Sequence, residues 1–416
     1  MNSKQTEQYD VIVIGGGPAG MMTAGVASKR NKRVLLLEKN KDLGEKLKIT
    51  GGGRCNITNA EYDTRKLLKY FGKAEQFLFS PFSQFGVKDT FTFFESKKLP
   101  LVTEARKRAF PKTQRAMDVF KTMRRFIDTK NITVLTNEPV KKILETDGAI
   151  VGIKTKKQTY TAKSYVIATG GVSHPETGST GDGFKWLQNL GYKIQEPNPS
   201  IVPLRSNDKW VKDLSGTSLS FMKITFFVNG KKAFSKKGKL LFTHFGLSGP
   251  LILNSASEVA DLLHEGGVTA EIDAFPDTDI GALEKRVLKI FDKNKNKDFR
   301  NVVGDIAPQG MGNTLIEFHI VPEVITKVHS ISKDERKCLV RLMKGFPLSI
   351  EGLMGMDRAV VSCGGIQLED VDTKTMRSKR HNNLFFVGDM LGINRPSGGY
   401  SLQLCWTTGH VAGENV

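Results

Sequence analysis

Glycines at 15, 17 and 20, set between an apolar run and a helical stretch, are residues whose spacing can do chemistry in this chain. In Val11-Ile12-Val13-Ile14-Gly15-Gly16-Gly17-Pro18-Ala19-Gly20, Gly15 permits a tight turn and Gly17 lets the backbone approach a pyrophosphate. Gly20 lets helix and strand pack closely, and the helix N-terminus faces the anion with N–H groups that have no intrahelical partner. Glu38 follows at the end of a second apolar run, roughly 20 residues on, where a carboxylate accepts hydrogen bonds from ribose hydroxyls.

These residues need a strand, a helix and a second strand to hold them. The run Asp10–Ile14, the helical stretch Ala19–Arg30 and the run Arg33–Leu37 supply that order. From Tyr62 to about Ile127 the pattern is mainly helical and basic, with a loop at Arg106–Pro111. Strands return at Ile132–Leu135, Val140–Glu145, Ile150–Thr155 and Tyr165–Ala168. After Pro197, Pro199 and Pro203 the character changes. Asn229-Gly230 between Ile224–Val228 and Lys231–Phe234 is a hairpin signature, because both turn residues tolerate positive φ. Helices are expected at Leu283–Phe291 and Lys333–Met343, and a final helix near Ser401–Ala412.

Two distal segments narrow the ligand. Tyr165–Gly171 contains Ala168-Thr169-Gly170 and resembles the ATG segment of FAD-dependent two-domain enzymes. Asn383–Asp389 ends in Gly388-Asp389 and resembles their C-terminal GD motif, whose Asp binds the ribityl chain. Together with Lys46–Asn56, Arg108–Lys112, Gly178–Gly183, Thr243–Pro250, Thr375–Lys379 and Gly398-Gly399-Tyr400, they make the chain resemble the BaiN/YhiN-type (aminoacetone oxidase family) FAD-dependent oxidoreductases over nearly its whole length. Departures from the family pattern are Asp389 and Gly392, where a Gly-Glu and a further acidic residue are expected, and His174 in place of Tyr.

The resemblance implies an α/β fold: a Rossmann-like FAD-binding domain of the two-dinucleotide-binding-domain flavoprotein type, with an inserted β-barrel plus helical domain. The expected boundaries are 1–195, 196–345 and 346–416, the first and last parts forming one FAD domain. FAD is expected to bind non-covalently to Gly15, Gly17, Pro18, Ala19, Gly20, Glu38, Lys39, Lys46, Gly52, Gly53, Arg54, Cys55, Asn56, Val140, Thr169, Gly170, Gly171, Gly388, Asp389, Ser397, Gly398, Gly399, Tyr400 and Ser401. Ser397 is also a good N-cap for the last helix. There is no second GxGxxG, so NAD(P)H as electron donor is expected only as a transient visitor.

Candidate catalytic residues are Cys55, His244 and Tyr400. Cys55 beside Arg54 is either an acid that protonates a substrate carbon or a small residue packed under the flavin. His244 is either a substrate base or a structural histidine. The 62 Lys+Arg against 43 Asp+Glu give a net charge of +19, which suits a polyanion such as RNA. Arg106-Lys107-Arg108, Lys231-Lys232 and Lys236-Lys237 could follow phosphates, with Phe110 or Phe234 stacking on bases, or could be solvated turns.

Four scattered cysteines show no CxxC and no metal-ligand spacing, which fits a reducing cytoplasm. Met1–Asp10 has no apolar signal core, and the uncharged run Val11–Ser28 is broken by Gly15–Pro18, so no membrane span is expected. Some members of the family are associated with reduction of uridine to dihydrouridine in ribosomal RNA, which makes NAD(P)H-driven RNA reduction the leading expectation. A small-molecule amine oxidase or enone dehydrogenase/reductase is the second. A non-catalytic flavin protein that docks on RNA or ribosomes is the third.

Overall fold

Val11–Ile14 offers no polar side chain to solvent, and in the computed structural model it forms the buried centre of a parallel sheet. The structure describes residues 8–308, 310–355, 359 and 362–416; most of the polar N-terminal stretch read above lies outside them. The sheet runs Ile132–Leu135, β2 (Val34–Leu37), β1 (Gln8–Ile14), Thr159–Ile167 and Leu384–Phe386, all parallel. Register places Leu135, Leu37, Ile14, Ile167 and Phe386 in one row, so the five carboxyl ends share an edge. In open α/β sheets ligands bind outside that edge. Val140–Thr146 and Ala149–Thr155 form an antiparallel meander with the start of Thr159–Ile167.

The chain divides into two compact units, Met1–Pro199 with Ala359–Val416, and Ser200–Arg358. In the second, Ser218–Val228 and Lys231–Thr243 pair around Asn229 (φ 49°) and Gly230 (φ 75°), the tight turn their residue types call for. Phe346–Ile350 pairs with Val268–Asp273, while Gly352-Leu353, just beyond, pairs with Leu204-Arg205 at the other end of the sheet. One continuous segment thus joins both edges and closes a barrel. That pairing carries the second unit past the expected boundary at 345. Helices Ile280–Lys293 and Lys333–Lys344 cover the barrel's unit.

The expected loop at Arg106–Pro111 is different. Arg108–Pro111 is a strand that pairs with Leu101–Glu104 on one side and Thr58-Asn59 on the other. Only Ala105–Lys107 turns, with Arg106 and Lys107 both at positive φ.

What unites the two ends of the chain is helix α1 (Pro18–Lys29) against the final helix Tyr400–Asn415. Glycines let them touch backbone to backbone. A Cβ at Gly409 would lie 2.6 Å from the Ala19 carbonyl oxygen, and one at Gly413 would lie 2.6 Å from the Val26 Cβ. The Thr23 hydroxyl donates to the carbonyls of Ala19 (2.9 Å) and Gly409 (3.0 Å), tying the pair across the gap. Gly409→Ala gains about 1 kcal/mol of helix propensity but overpacks this contact, at a cost of about 1–3 kcal/mol. Urea unfolding should therefore show a loss of up to about 2 kcal/mol, whereas a higher midpoint would mean the helices can separate freely.

Candidate functional site

At the carboxyl edge of the parallel sheet lies a cavity of about 440 Å³, lined only by residues of the first unit. The glycine turn forms its floor, and its three glycines do different work. Gly15 sits at φ 105° with Ala168 O only 2.5 Å from where a Cβ would be, and a Cβ on Gly20 would strike Gly15 O at 1.9 Å. Both are needed for the fold. Gly17 has ordinary φ (−76°) and nothing within 4 Å of a Cβ, so no packing demand calls for glycine there, and its missing side chain leaves open space on the cavity. It is also the N-cap position of α1, whose first N–H groups point into that space.

Glu38 closes one side. Its Oε2 accepts from Gly16 N and its Oε1 from Asn40 N, each at 2.8 Å. Burial pushes its pKa up, against those two hydrogen bonds. Each oxygen retains a lone pair for a ribose hydroxyl. Lys39 is held by Thr180 Oγ1 (2.5 Å) and Asp182 (2.9 Å), and Lys46 by Ser173 O (2.7 Å) and Ser179 Oγ (2.8 Å). Burial lowers the Lys46 pKa; its hydrogen-bond partners Ser173 and Ser179 offer neutral oxygens, and it lines the cavity. An anionic ligand is what such an ammonium suits.

The opposite wall comes from the C-terminus. Gly388 adopts φ 63°, donates its N–H to Thr408 Oγ1 at 2.9 Å, and places Asp389 on the cavity. Arg395, 3% exposed, holds that wall together: it donates to Asp389 Oδ1, to Ser401 Oγ (3.0 Å) and to Ile393 O (2.7 Å). Cys405 also faces the cavity, and burial first, then Asp389, push its thiol up to about 12, so it stays protonated. A protonated thiol is a poor nucleophile.

Of the expected cofactor residues, Gly15, Gly17, Pro18, Ala19, Glu38, Lys39, Lys46, Gly52, Val140, Thr169, Gly170, Gly388, Asp389 and Ser401 line the cavity. Gly20, Gly53, Arg54, Cys55, Asn56, Gly171, Ser397, Gly398, Gly399 and Tyr400 stand outside its lining. Arg54 is spent on Glu104 and Gln114, and its guanidinium lies 4.1 Å from the Phe110 ring centroid. The Asn56 amide bridges the Thr58 and Ala109 carbonyls and Gly399 N, so it fixes the last helix's approach. Gly399, not Ser397, occupies that helix's cap position, because a Cβ there would strike Thr58.

The catalytic candidates fare differently from the cofactor set. Cys55 is fully buried and burial alone raises its thiol pKa, which favours the packed small residue over the acid among its two readings. Tyr400 is buried against Tyr70 and Phe71, and burial, then Tyr70 and Glu61, raise its pKa. His244 belongs to the second unit, exposed, with its ring edge-on to Phe245. Phe110 is buried with the Arg54 and Arg108 guanidiniums 4.1 and 5.7 Å from its ring centroid, and Phe234 packs on Phe226, so neither is an open stacking platform. Residues not singled out in the sequence also line the wall, among them Asn40, Ser179, Asp182 and Cys405; the Gly-Ser-Thr-Gly-Asp-Gly run was the available signal.

The family model described as HI0933-like protein Rossmann domain matches residues 9–415. A 3-dehydro-bile acid delta(4,6)-reductase of Clostridium scindens is 26% identical, covering 96% of this chain and 97% of its own. A ribosomal RNA dihydrouridine synthase of Haemophilus influenzae is 25% identical, covering 97% and 98%. A 3-ketosteroid-delta4-(5alpha)-dehydrogenase structure from Rhodococcus jostii superposes with a TM-score of 0.54 at 14% identity, over 99% of this chain and 97% of that one, and shares the fold. The open Gly17 cradle, the ribose-facing Glu38 and the Asp389 wall fit FAD.

Gly17→Ala should cost no more than about 1 kcal/mol of urea stability, as expected for Ala in place of Gly at an N-cap, yet weaken FAD binding at least tenfold by flavin-fluorescence titration. Full FAD affinity in that variant would place the pyrophosphate elsewhere. Glu38 supplies a pH test. Burial raises its pKa in the apoprotein, and ribose hydroxyl donors favour the ionised form, so binding lowers that pKa and is linked to proton release as pH falls toward it. FAD affinity should fall as pH drops through the raised apoprotein pKa, and Glu38→Gln should flatten the profile; the same slope in both would exclude Glu38.

Proposed function

The chain belongs to the HI0933-like family and is an FAD-dependent oxidoreductase; from that premise we propose that it uses NAD(P)H to reduce uridine to dihydrouridine in ribosomal RNA. The observation that carries this reading is the net charge of +19, far more than a dinucleotide cofactor needs and well suited to a polyanionic substrate. The relatives' names support it, since a dihydrouridine synthase and a delta(4,6)-reductase both denote loss of a carbon–carbon double bond. The overall change adds a hydride at C6 and a proton at C5 of the uracil ring, while NAD(P)H becomes NAD(P)⁺.

Bound FAD supplies the hydride chemistry. The chain's own part is to hold and orient it. Gly17 and the α1 N-terminus would take the pyrophosphate, Glu38 a ribose, and Asp389, fixed by Arg395, the ribityl chain. Lys46 adds a positive charge to the same wall. Proton delivery is not assigned to Cys55 or Tyr400, which are buried outside the cavity and hold their protons tightly.

The full-length similarity to the Clostridium scindens reductase favours a second reading, in which the substrate is a small conjugated ketone. The two separate by experiment. In a strain lacking the gene, mapping of dihydrouridine should show a ribosomal RNA position that has reverted to uridine. An unchanged map, with anaerobic NADH still bleaching the bound flavin, would remove the RNA substrate and leave the small-molecule reading.

A further inference from the structure

Outside the cavity, a basic surface lies on residues 61–73 and 105–108 of the first unit. These segments are held side by side: Ala60 N donates to Lys107 O at 2.6 Å, and the Asn59 amide donates to the carbonyls of Arg106 and Gly398. Arg65, Lys69, Lys73 and Arg106 are all exposed, and none forms an ion pair among the described residues. Lys66 and Lys107, by contrast, are matched by Asp63 and Glu61. Two large aromatic side chains stand in the same stretch with more than half their surface in solvent, Tyr62 at 59% and Tyr70 at 55%. Solvent exposure of two tyrosines among uncompensated cations serves no packing purpose.

Both rings are backed by protein. Tyr62 rests on Phe91, with centroids 5.7 Å apart, and Tyr70 rests on Tyr400 at 5.0 Å. Tyr400 is the first residue of the final helix, and its neighbours Ser401 and Leu402 line the cavity. Tyr70 is therefore one ring away from the residue that leads into the flavin wall. Cations that follow a backbone, interleaved with aromatic faces that accept any base, are how proteins hold single-stranded nucleic acid.

We infer that this face binds a single-stranded RNA segment beside the uracil to be reduced, with a base stacked on Tyr70 and phosphates on Arg65, Lys69, Lys73 and Arg106. The inference rests on the RNA reading above and says where that RNA lies. It also replaces Phe110 and Phe234 as the stacking residues.

Fluorescence anisotropy of the FAD-loaded protein with a labelled oligouridylate tests it, for wild type, Tyr70→Ala and the double variant Lys69→Ala/Lys73→Ala. Loss of one stacked base should weaken binding by roughly 5- to 150-fold. Loss of two phosphate contacts should weaken it further at low salt and reduce the slope of log K against log salt by about 1.4, at 0.7 per phosphate on a single strand. The bound-flavin spectrum and NADH bleaching of the double variant should match wild type, since neither lysine touches the cavity lining.

RNA affinity and salt slope unchanged in both variants would overturn the surface, whatever the dihydrouridine map shows. So would an equal loss of affinity for a fully paired duplex in Tyr70→Ala, because a paired base is not free to stack. An unchanged map together with the expected binding losses would instead contradict the RNA-reductase reading while upholding the surface.

Discussion

Everything at the site depends on two helices from opposite ends of the chain approaching to backbone contact. The Gly409 and Gly413 positions press on Ala19, Thr23 and Val26 with no room for a side chain between them. A glycine in mid-helix is itself unfavourable by about 0.5–1 kcal/mol, so two here are explained by the contact they permit. Because α1 begins at the pyrophosphate turn and the final helix begins at the Gly398–Ser401 loop, their packing sets the spacing of the two cavity walls. The buried polar cluster of Thr58, Thr90, Gln403 and Thr407 then fixes the final helix's rotation, with Gln403 accepting from both Thr58 (2.6 Å) and Thr90 (3.0 Å).

Much of this was legible because some demands are local. The positive φ of Gly15 and the Gly20–Gly15 crossing lie within six residues, and Asn229-Gly230 is dictated by the dihedrals of its own turn, although Gly15 also meets the distant Ala168 carbonyl. The ATG and GD segments were legible as resemblance, and the structure brings both to the cavity. What could not be read are roles set by distant packing. Tyr400 looks free in sequence but is walled in by Tyr70 and Phe71, and Phe110 is buried beside Arg54 and Arg108. Arg395 went unnoticed since nothing in a Gly-Ile-Asn-Arg-Pro loop says that its guanidinium turns back on Asp389 and forward on Ser401. Cys55 drew attention for the cation beside it, yet Arg54 points to Glu104 and Gln114 instead.

Charge is distributed with the same division between local and distant causes. Inside the cavity, negative Glu38 and Asp389 are each held by donors, and positive Lys46 faces the ligand space from a bed of neutral oxygens. Outside, the excess of cations is partly cancelled by surface ion pairs, which contribute little stability individually. On residues 61–73 and 105–108 the cancellation is incomplete, and that is also where two tyrosines stay open to solvent.

A single FAD site built jointly by the two ends of the chain should show itself in amide hydrogen exchange of the apoprotein with and without FAD. FAD should slow exchange at Gly15–Gly20 and at Gly388–Ser401 together, with the barrel strands Ser218–Val228 and Val268–Asp273 unchanged. Protection confined to the N-terminal turn, with 388–401 unaffected, would contradict a joint site.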